Sequence, residues 1–520
     1  LTAGWRSSRI ELLPRQNNTA QTRIPTPTTE PKENAMPVSA PSVIEALQAI
    51  VGSRQVLLED ADRAKYETDA MNLYCGRALA VVRPASTAEV SAIMKLAHQT
   101  RTPVVPIGGN TGLNGGAWPG GDGSQILLSL ERLNRIRAIK PAAQVMIAEA
   151  GCILDHLHQA AREHGMTFPL TFGARGSCML GGNLSTNAGG SNVVRYGNTR
   201  ELCLGLEVVL PDGRILDLLS ELRKDNTGYD LKDLYIGAEG TLGVITAAVM
   251  KLALRPKAYA TAMVALPDVA SALILLNRLQ SATSQSVEAF EYMPRNYLRR
   301  LLERFPTLRN PFDELPEVGL LLEIGATAPR DAEPEADGSL PVVNYLEQTL
   351  AEYHEADMVL DAVVAQNENQ RREMWAMREA AYEVMIMKQP LIMTDVSVPL
   401  DSVQPFLERM GKRLHQLAPE AEEVIVAHLG DGNVHYSLWP DPEQQLDSTR
   451  LAARKTAIVE AVEDTVLELG GSFSAEHGIG VYKKDSMARR KNPLALQLMH
   501  QIKQALDPLN IMNPGKVLPE

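Results

Sequence analysis

A chain of 520 residues is longer than one core supports, since single domains run to about 250 residues, so two or three domains are expected. Its 45% hydrophobic and 22% charged content is that of an ordinary globular protein, and a net charge of −12 with no Lys/Arg run excludes a nucleic-acid partner held through its phosphates. Cys75, Cys152, Cys178 and Cys203 lie far apart with no CxxC, which excludes a disulfide framework and a thiolate metal site and fits a reducing compartment.

Residues 1–42 are rich in Pro, Thr, Asn and Arg without hydrophobic periodicity, and read as a disordered extension. Arg6, Arg9, Arg15 and Arg23, against Glu11 alone ahead of Glu30, have the flavour of a transit peptide; the alternative, preferred because Met36 precedes the first helical pattern, is an upstream-extended start. A cytoplasmic location follows from the second reading and a mitochondrial matrix from the first. From Val43 the pattern alternates: VIEALQAIVG as helix, ALAVVRP as strand, and TAEVSAIMKLAHQT as an amphipathic helix opened by a Thr cap. TPVVPIGGNTGLNGG runs a short strand into a glycine-rich turn, and QVMIAEAG and GLEVVLPDGRIL read as strands, the latter turning at Asp212-Gly213. Near Pro256 the glycine clusters stop and longer helical patterns begin, VASALILLNRLQ and VVNYLEQTLAEYH among them. The expected domains are therefore 43–256, 257–469 and a closing segment 470–520, with a surface loop from Thr327 to Ser339. The apolar stretch from Ala258 to Leu276 is broken by Pro267 and Asp268, so no transmembrane helix is expected.

Gly108, Gly109, Gly112, Gly115 and Gly116 crowd into nine residues, more than turn chemistry asks for. Glycines let backbone N–H groups approach an anion closely, and a pyrophosphate is the natural guest. Neither GxGxxG nor GxxxxGK[ST] occurs here, so the nicotinamide and P-loop readings fail. A second tract, GARGSCMLGGNLSTNAGGSNVVRYGNTRE, repeats the chemistry with Gly181, Gly182, Gly189 and Gly190 among Asn183, Ser185, Thr186 and Asn187.

The run VIVAHLGDGNVHYSLW places His428 and His435 seven residues apart, on opposite faces of a straight strand. A two-residue type I′ turn at Asp431-Gly432 would set the two histidines directly opposite each other, close enough for one metal. GGSFSAEHGIG adds Glu476 and His477, which on an extended chain point to opposite sides, one toward a metal and the other toward a substrate. Two His and one carboxylate suit a divalent metal, zinc first, with Mn or Fe as alternatives. The bland reading is that the histidines cap a hairpin.

The motifs PIGGNTGL and GGNLSTNAGG, continued through RKDNTGYDLKDLYIGAEGTLGVIT, resemble the PCMH-type FAD-binding family, the vanillyl-alcohol oxidase superfamily, over nearly all of the chain from Ser42 to Leu518. The resemblance implies an α+β fold: a two-lobed FAD-binding domain, an α+β cap domain with an antiparallel sheet, and a C-terminal helical segment that returns to the flavin. It implies FAD contacts from Pro106, Gly108, Gly109, Asn110, Thr111, Gly112 and Leu113; from Gly176, Ser177, Gly181, Gly182, Asn183, Ser185, Thr186, Asn187 and Gly190; and from Glu239, Gly240, Gly243, Ile245 and, before Pro-Gly-Lys, Asn513. Asn110 stands where members that tether flavin carry a linking His, so noncovalent FAD is expected.

The histidine pattern is similar to the D-2-hydroxy-acid dehydrogenase branch, which includes D-2-hydroxyglutarate and D-lactate dehydrogenases and the glycolate oxidase flavoprotein subunit. That likeness implies His428, His435 and Glu476 as metal ligands, His477 as general base, and Arg378, Tyr382 and Ser437 at the substrate. On residue pattern alone Arg378, in WAMRE, reads as a solvated helix residue. The chain departs from the hydroxyglutarate enzymes at two places: Met393 stands where they have a Lys, and Ser437 where they have an Asn. A distal carboxylate buried without such donors is costly, so a D-lactate-like monocarboxylate is expected. The electron acceptor stays open between electron-transfer flavoprotein, a quinone and a cytochrome, and the resemblance suggests a homodimer. An alkyl-glycerone-phosphate synthase type of flavoenzyme and a non-catalytic flavin-binding subunit are the rival readings.

Overall fold

The computed structural model describes residues 40–520, so most of the expected N-terminal extension lies outside the described residues; the last of that stretch already opens the helix Ala40–Val51. Strands β1 (Val56–Leu57), β2 (Ala80–Val82), β3 (Val104–Ile107) and β4 (Ile126–Ser129) form a sheet of order β1-β2-β4-β3, in which β2, β4 and β3 run parallel and β1 is antiparallel to β2. The crossover from β2 to β3 is the predicted amphipathic helix, Thr87–Thr100. Its cap is Ser86, whose side chain accepts from the Glu89 amide; Thr87, the expected cap, donates its hydroxyl to Glu207 at 2.6 Å instead.

Then come β5 (Ile136–Lys140), β6 (Val145–Glu149), β7 (Met166–Thr167), β8 (Cys203–Val209), β9 (Ile215–Leu218), β10 (Val244–Lys251) and β11 (Ala253–Leu254). β7 and β11 pair with each other, and the remaining five make an antiparallel sheet β5-β6-β10-β8-β9. One apolar cluster joins both sheets and includes Ile511 and Met512 from the far end of the chain. Those residues return beside β3: Val104 donates to Ile511 O at 2.8 Å, and Asn513 N donates to Val104 O at 2.8 Å.

Beyond Pro256 the chain builds one antiparallel sheet of seven strands, β12 (Ala258–Leu266), β13 (Val287–Tyr292), β14 (Val318–Ala326), β15 (Asp361–Val364), β16 (Ile392–Ser397), β17 (Glu422–His428) and β18 (Asn433–Trp439), in the order β15-β12-β14-β13-β17-β18-β16. Helices Val269–Ala282, Pro341–Glu355, Val403–Leu417 and Ser448–Glu468 cover one face. Arg295–Arg304, Glu368–Glu379 and Ala381–Met385 pack on the other, against Met263, Leu321, Val424, Val426 and Trp439. Burial on both faces is why β12 and β14 read as near-continuous apolar runs rather than alternating ones. The expected mixed α and β architecture with an antiparallel second sheet is what the chain adopts. The predicted loop Thr327–Ser339 contains one helical turn, Pro329–Ala332, and the C-terminal segment carries helices Lys484–Arg490 and Pro493–Leu506. No helix among the described residues is long and apolar enough to cross a membrane, and the four cysteines are free.

Candidate active site

A cavity of about 620 Å³ opens between the glycine tracts and the seven-stranded sheet. Its first wall is backbone. Pro106, Gly108, Gly109, Asn110, Thr111, Gly112 and Leu113 line it, with Gly181, Gly182, Asn183, Ser185, Thr186, Glu239, Gly240, Gly243 and Ile245. Two kinds of glycine make this wall. A Cβ on Gly109 would fall 2.1 Å from Ser177 O, and one on Gly181 would fall 2.8 Å from Ala150 Cβ, so both are pressed against neighbouring chain. Gly112 and Gly182 would meet no protein atom within 4 Å, which leaves their backbone open for a ligand to approach. Such a cradle fits a dinucleotide.

Five expected cofactor residues do not line the cavity. Ser177 is the packing neighbour of Gly109, and Gly176 belongs to the same turn, facing Asp155. Asn187 ends the helix Leu180–Thr186 in a left-handed conformation and accepts from the Arg200 amide at 2.9 Å. Gly190 is pressed against Thr171 O. Asn513 donates to Gly116 O at 2.9 Å and to Glu239 O at 2.8 Å, tying two cradle loops together from behind. Glu239 lines the cavity, yet its two carboxylate oxygens accept from Ile479 N and Gly480 N at 2.7 and 2.8 Å, so it anchors the loop that carries Glu476 and His477. Asn114 holds the same loop by donating to His477 O at 2.9 Å and Gly478 O at 2.7 Å.

The second wall is side chain. β17 and β18 pair His428 with Asn433 and Val426 with His435, so the connection is the four-residue loop 429–432 rather than the expected two-residue turn. Leu429 causes the difference: it is fully buried and its amide donates to Phe290 O at 2.8 Å, which takes it out of the hairpin ladder. The loop closes on Gly432 at φ 82°, where a Cβ would fall 2.2 Å from Val398 O. A register shift of two residues preserves the face, so the histidines still meet, now as diagonal neighbours with ring centroids 5.2 Å apart.

Glu476 stands before both rings, Oε1 at 3.9 Å from His428 Nε2 and Oε2 at 3.9 Å from His435 Nε2. His477 follows on irregular backbone and stacks on His435, centroids 5.6 Å apart. Behind His428 lies Glu291, directly across the β13–β17 ladder, 2.8 Å from Nδ1. Behind His435 lies Asp395, its partner across β16–β18, with Oδ1 at 3.6 Å from Nδ1. Burial pushes the Glu476 carboxyl up to about 7, with His428 pulling the other way. Burial disfavours a proton on His428, but Glu291 and then Glu476 outweigh it and hold the ring up at about 9. Glu291 itself is driven up by burial and more strongly down by His428 and Arg378, to about 2. Burial keeps His435 and His477 below the ordinary histidine range, and Asp395 stays ionised against its burial because His477, Lys483 and His435 surround it.

This donor set fits a divalent metal. Two imidazole Nε2 atoms and one half-buried carboxylate face one point at separations too long for hydrogen bonds, and each imidazole is backed by its own acid, as metal-bound histidines are. Asp395, His435, Glu476 and His477 also bring ligand atoms within 4.8 Å of one another. Asp395 is nonetheless committed elsewhere: it accepts from Asn433 Nδ2 at 2.9 Å, Glu476 N at 2.8 Å and His477 N at 2.9 Å.

Arg378 is not solvated. It is 9% exposed, donates from Nε to Glu291 at 2.6 Å, and lines the cavity. Tyr382 lines the mouth, its hydroxyl 3.4 Å from Met71 Sδ, and Ser437 lies on the floor opposite Met393 on β16. Glu291, Asp395, Lys483 and Asn114 were not anticipated. The strand VEAFEY carries two acids, Glu288 and Glu291, with nothing local to single out Glu291, and the same holds for Asp395 in MTDVSVP.

Residues 255–517 match the C-terminal domain of the FAD linked oxidases, and residues 78–219 match their FAD binding domain. The mitochondrial D-2-hydroxyglutarate dehydrogenase of Bos taurus is 36% identical over 98% of this chain and 90% of its own length. The D-2-hydroxyglutarate dehydrogenase of Xanthomonas citri pv. viticola is 35% identical over 91% of this chain and 96% of its own. Among solved structures, p-cresol methylhydroxylase with substrate bound superposes with a TM-score of 0.68 at 16% identity, covering 92% of this chain and 96% of that one. An alkyldihydroxyacetonephosphate synthase superposes with a TM-score of 0.66 at 17% identity, covering 92% and 85%. At such identities these two establish the fold alone. The chain is an FAD-binding oxidoreductase and belongs to the FAD-linked oxidase family, in the company of the D-2-hydroxyglutarate dehydrogenases.

Proposed function

We propose that the protein is an FAD-dependent D-2-hydroxy-acid dehydrogenase with a divalent metal, selective for monocarboxylic substrates with small or apolar tails. The observation that carries this reading is the convergence of His428, His435, Glu476, His477 and Arg378 at one end of the flavin cavity. The names of the curated relatives support the D-2-hydroxy-acid class.

Arg378 has spent Nε on Glu291, and its other guanidinium nitrogens have no protein partner among the described residues, so they are free to clamp the substrate carboxylate in parallel bonds. His428, His435 and Glu476 would hold the metal, zinc first, with Mn or Fe as alternatives; FAD supplies the two-electron acceptor, and the metal supplies acidification of the 2-hydroxyl. His477, kept neutral by burial, takes the hydroxyl proton. Asn110 turns its amide to Thr68 O at 2.7 Å and offers no nucleophile for a flavin link, which supports noncovalent FAD.

Beyond the histidines the floor consists of Met393, Ser437 and Val426 and runs into the apolar cluster of Val424, Met377 and Trp439. The lining cations are Arg378 and Arg175, and Arg175 is engaged by Glu379 at 2.9 Å. A second carboxylate would find no free cation on that floor. The relatives favour D-2-hydroxyglutarate as the second reading. Anaerobic stopped-flow reduction by a panel of D- and L-hydroxy acids decides: D-lactate and longer aliphatic D-acids should bleach the flavin fastest, and faster reduction by D-2-hydroxyglutarate would replace this preference with the dicarboxylate.

A further inference from the structure

We infer that Asp395 is the positioning residue for both working imidazoles, His435 and His477, and that Lys483 holds it in place. The inference rests on the roles given above to those two rings, one as ligand and one as proton acceptor. Asp395 is 1% exposed and stands at the junction of two elements. Across the β16–β18 ladder it is the direct partner of His435, and its Oδ2 receives the backbone amides of both Glu476 and His477. One carboxylate therefore gauges the strand that bears one ligand against the loop that bears another ligand and the base.

The same carboxylate faces both rings on one side, Oδ1 at 3.6 Å from His435 Nδ1 and Oδ2 at 3.7 Å from His477 Nδ1. Among the described residues neither ring is hydrogen-bonded to a protein group. A neutral imidazole carries one ring proton, and an ionised carboxylate only accepts, so Nδ1–H is the tautomer favoured in both rings. Each Nε2 is left with its lone pair, as a metal ligand requires of His435 and a proton acceptor of His477.

Lys483 makes this arrangement tolerable. It is 7% exposed and donates from Nζ to Asp395 O at 3.3 Å, Phe473 O at 3.1 Å and Ser474 Oγ at 3.1 Å, with Asp395 Oδ2 at 3.8 Å. Its charge offsets a buried carboxylate, and its bonds fix the start of the 473–480 loop.

The first test needs neither substrate nor metal, so its failure is separable from a failure of the functional reading. In chelator-treated, FAD-loaded protein, ¹⁵N-histidine spectra should show His435 and His477 protonated at Nδ1 and bare at Nε2; a proton on Nε2 of either ring overturns the inference. Asp395→Asn brings an amide donor to this position and should disturb the tautomer of at least one ring while FAD absorbance is retained. Zinc affinity, by chelator competition, should fall about 10- to 100-fold, the usual cost of removing such outer support. Lys483→Met should weaken zinc less and leave the His435 tautomer unchanged, because His435 meets Asp395 through the sheet rather than the loop. Unchanged tautomers and a zinc affinity within about twofold in the folded Asp395→Asn protein would reduce Asp395 to packing.

Discussion

The two walls of the cavity are built by different means. The glycine wall is made of main chain from short contiguous runs, and its residues act by lacking side chains: Gly109 and Gly181 let chain pack on chain, and Gly112 and Gly182 leave backbone bare. The sheet wall is made of ionisable side chains drawn from β13, β16, β17, β18, the helix Glu368–Glu379 and the 473–480 loop, and each works only beside the others. A nucleotide cradle is therefore a local property of sequence, whereas an acid-base and metal site is a property of register.

That contrast predicts where each kind of damage stops. His477→Ala should lower flavin reduction by about 10² to 10⁴ with FAD content intact, the range a positioned base supplies; a variant that keeps most of its rate in stopped flow would remove His477 as the base. Glu291→Gln loosens both Arg378 and His428, and should cost about 10- to 100-fold in zinc affinity, again without loss of flavin. Loss of FAD in that variant would show the walls to be less separate than drawn. On the glycine side, Gly109→Ala drives a Cβ into Ser177 O and should destabilise the cofactor-free protein by about 1–3 kcal/mol. Gly182→Ala meets open space, so the cofactor-free protein should melt no lower while its FAD affinity falls about tenfold, or 1.4 kcal/mol. Equal melting shifts for the two alanines would refute the division into two kinds of glycine.

The smallest effect lies away from both walls. Glu423, on β17, is driven upward by burial, against the hydrogen bond from Tyr436. A carboxyl raised above its unfolded value of about 4.3 binds more protons in the native state, so its contribution is fully present below that pH and is lost as pH rises through the native value. Glu423→Gln should thus gain stability relative to the parent as urea unfolding is moved from pH 5 to pH 8. A difference that does not change with pH would contradict the upward shift.

Most of the first wall was legible because each glycine tract declares itself without reference to anything distant. Even there the bonds of Asn513 were not legible: its amide serves Gly116 O and Glu239 O, a contact between distant segments that no local pattern encodes. The three candidate metal ligands and His477 were legible as types, but not in register. The Asp431-Gly432 pair suggests a tight turn, and only the burial of Leu429 against β13 reveals the longer loop. Glu291 and Asp395 were hidden for the same reason, since an acid in a strand means little until the strand beside it is known. The Thr87 cap failed by one position because Ser86 was equally able and Thr87 had a partner on β8.

The return of Ile511 to Asn513 alongside β3 bears on how the protein is made. Asn513 is synthesised 397 residues after Gly116, whose carbonyl it binds, and the same stretch covers the open edge of β3 at Val104. Throughout translation of the seven-stranded sheet, the nascent flavin domain exposes an unpaired strand edge of the kind that recruits other chains. A contact available only near the end of synthesis is then also the one that seals it, so a product cut short before Ile511 would carry most of a cofactor site together with a permanent invitation to aggregate.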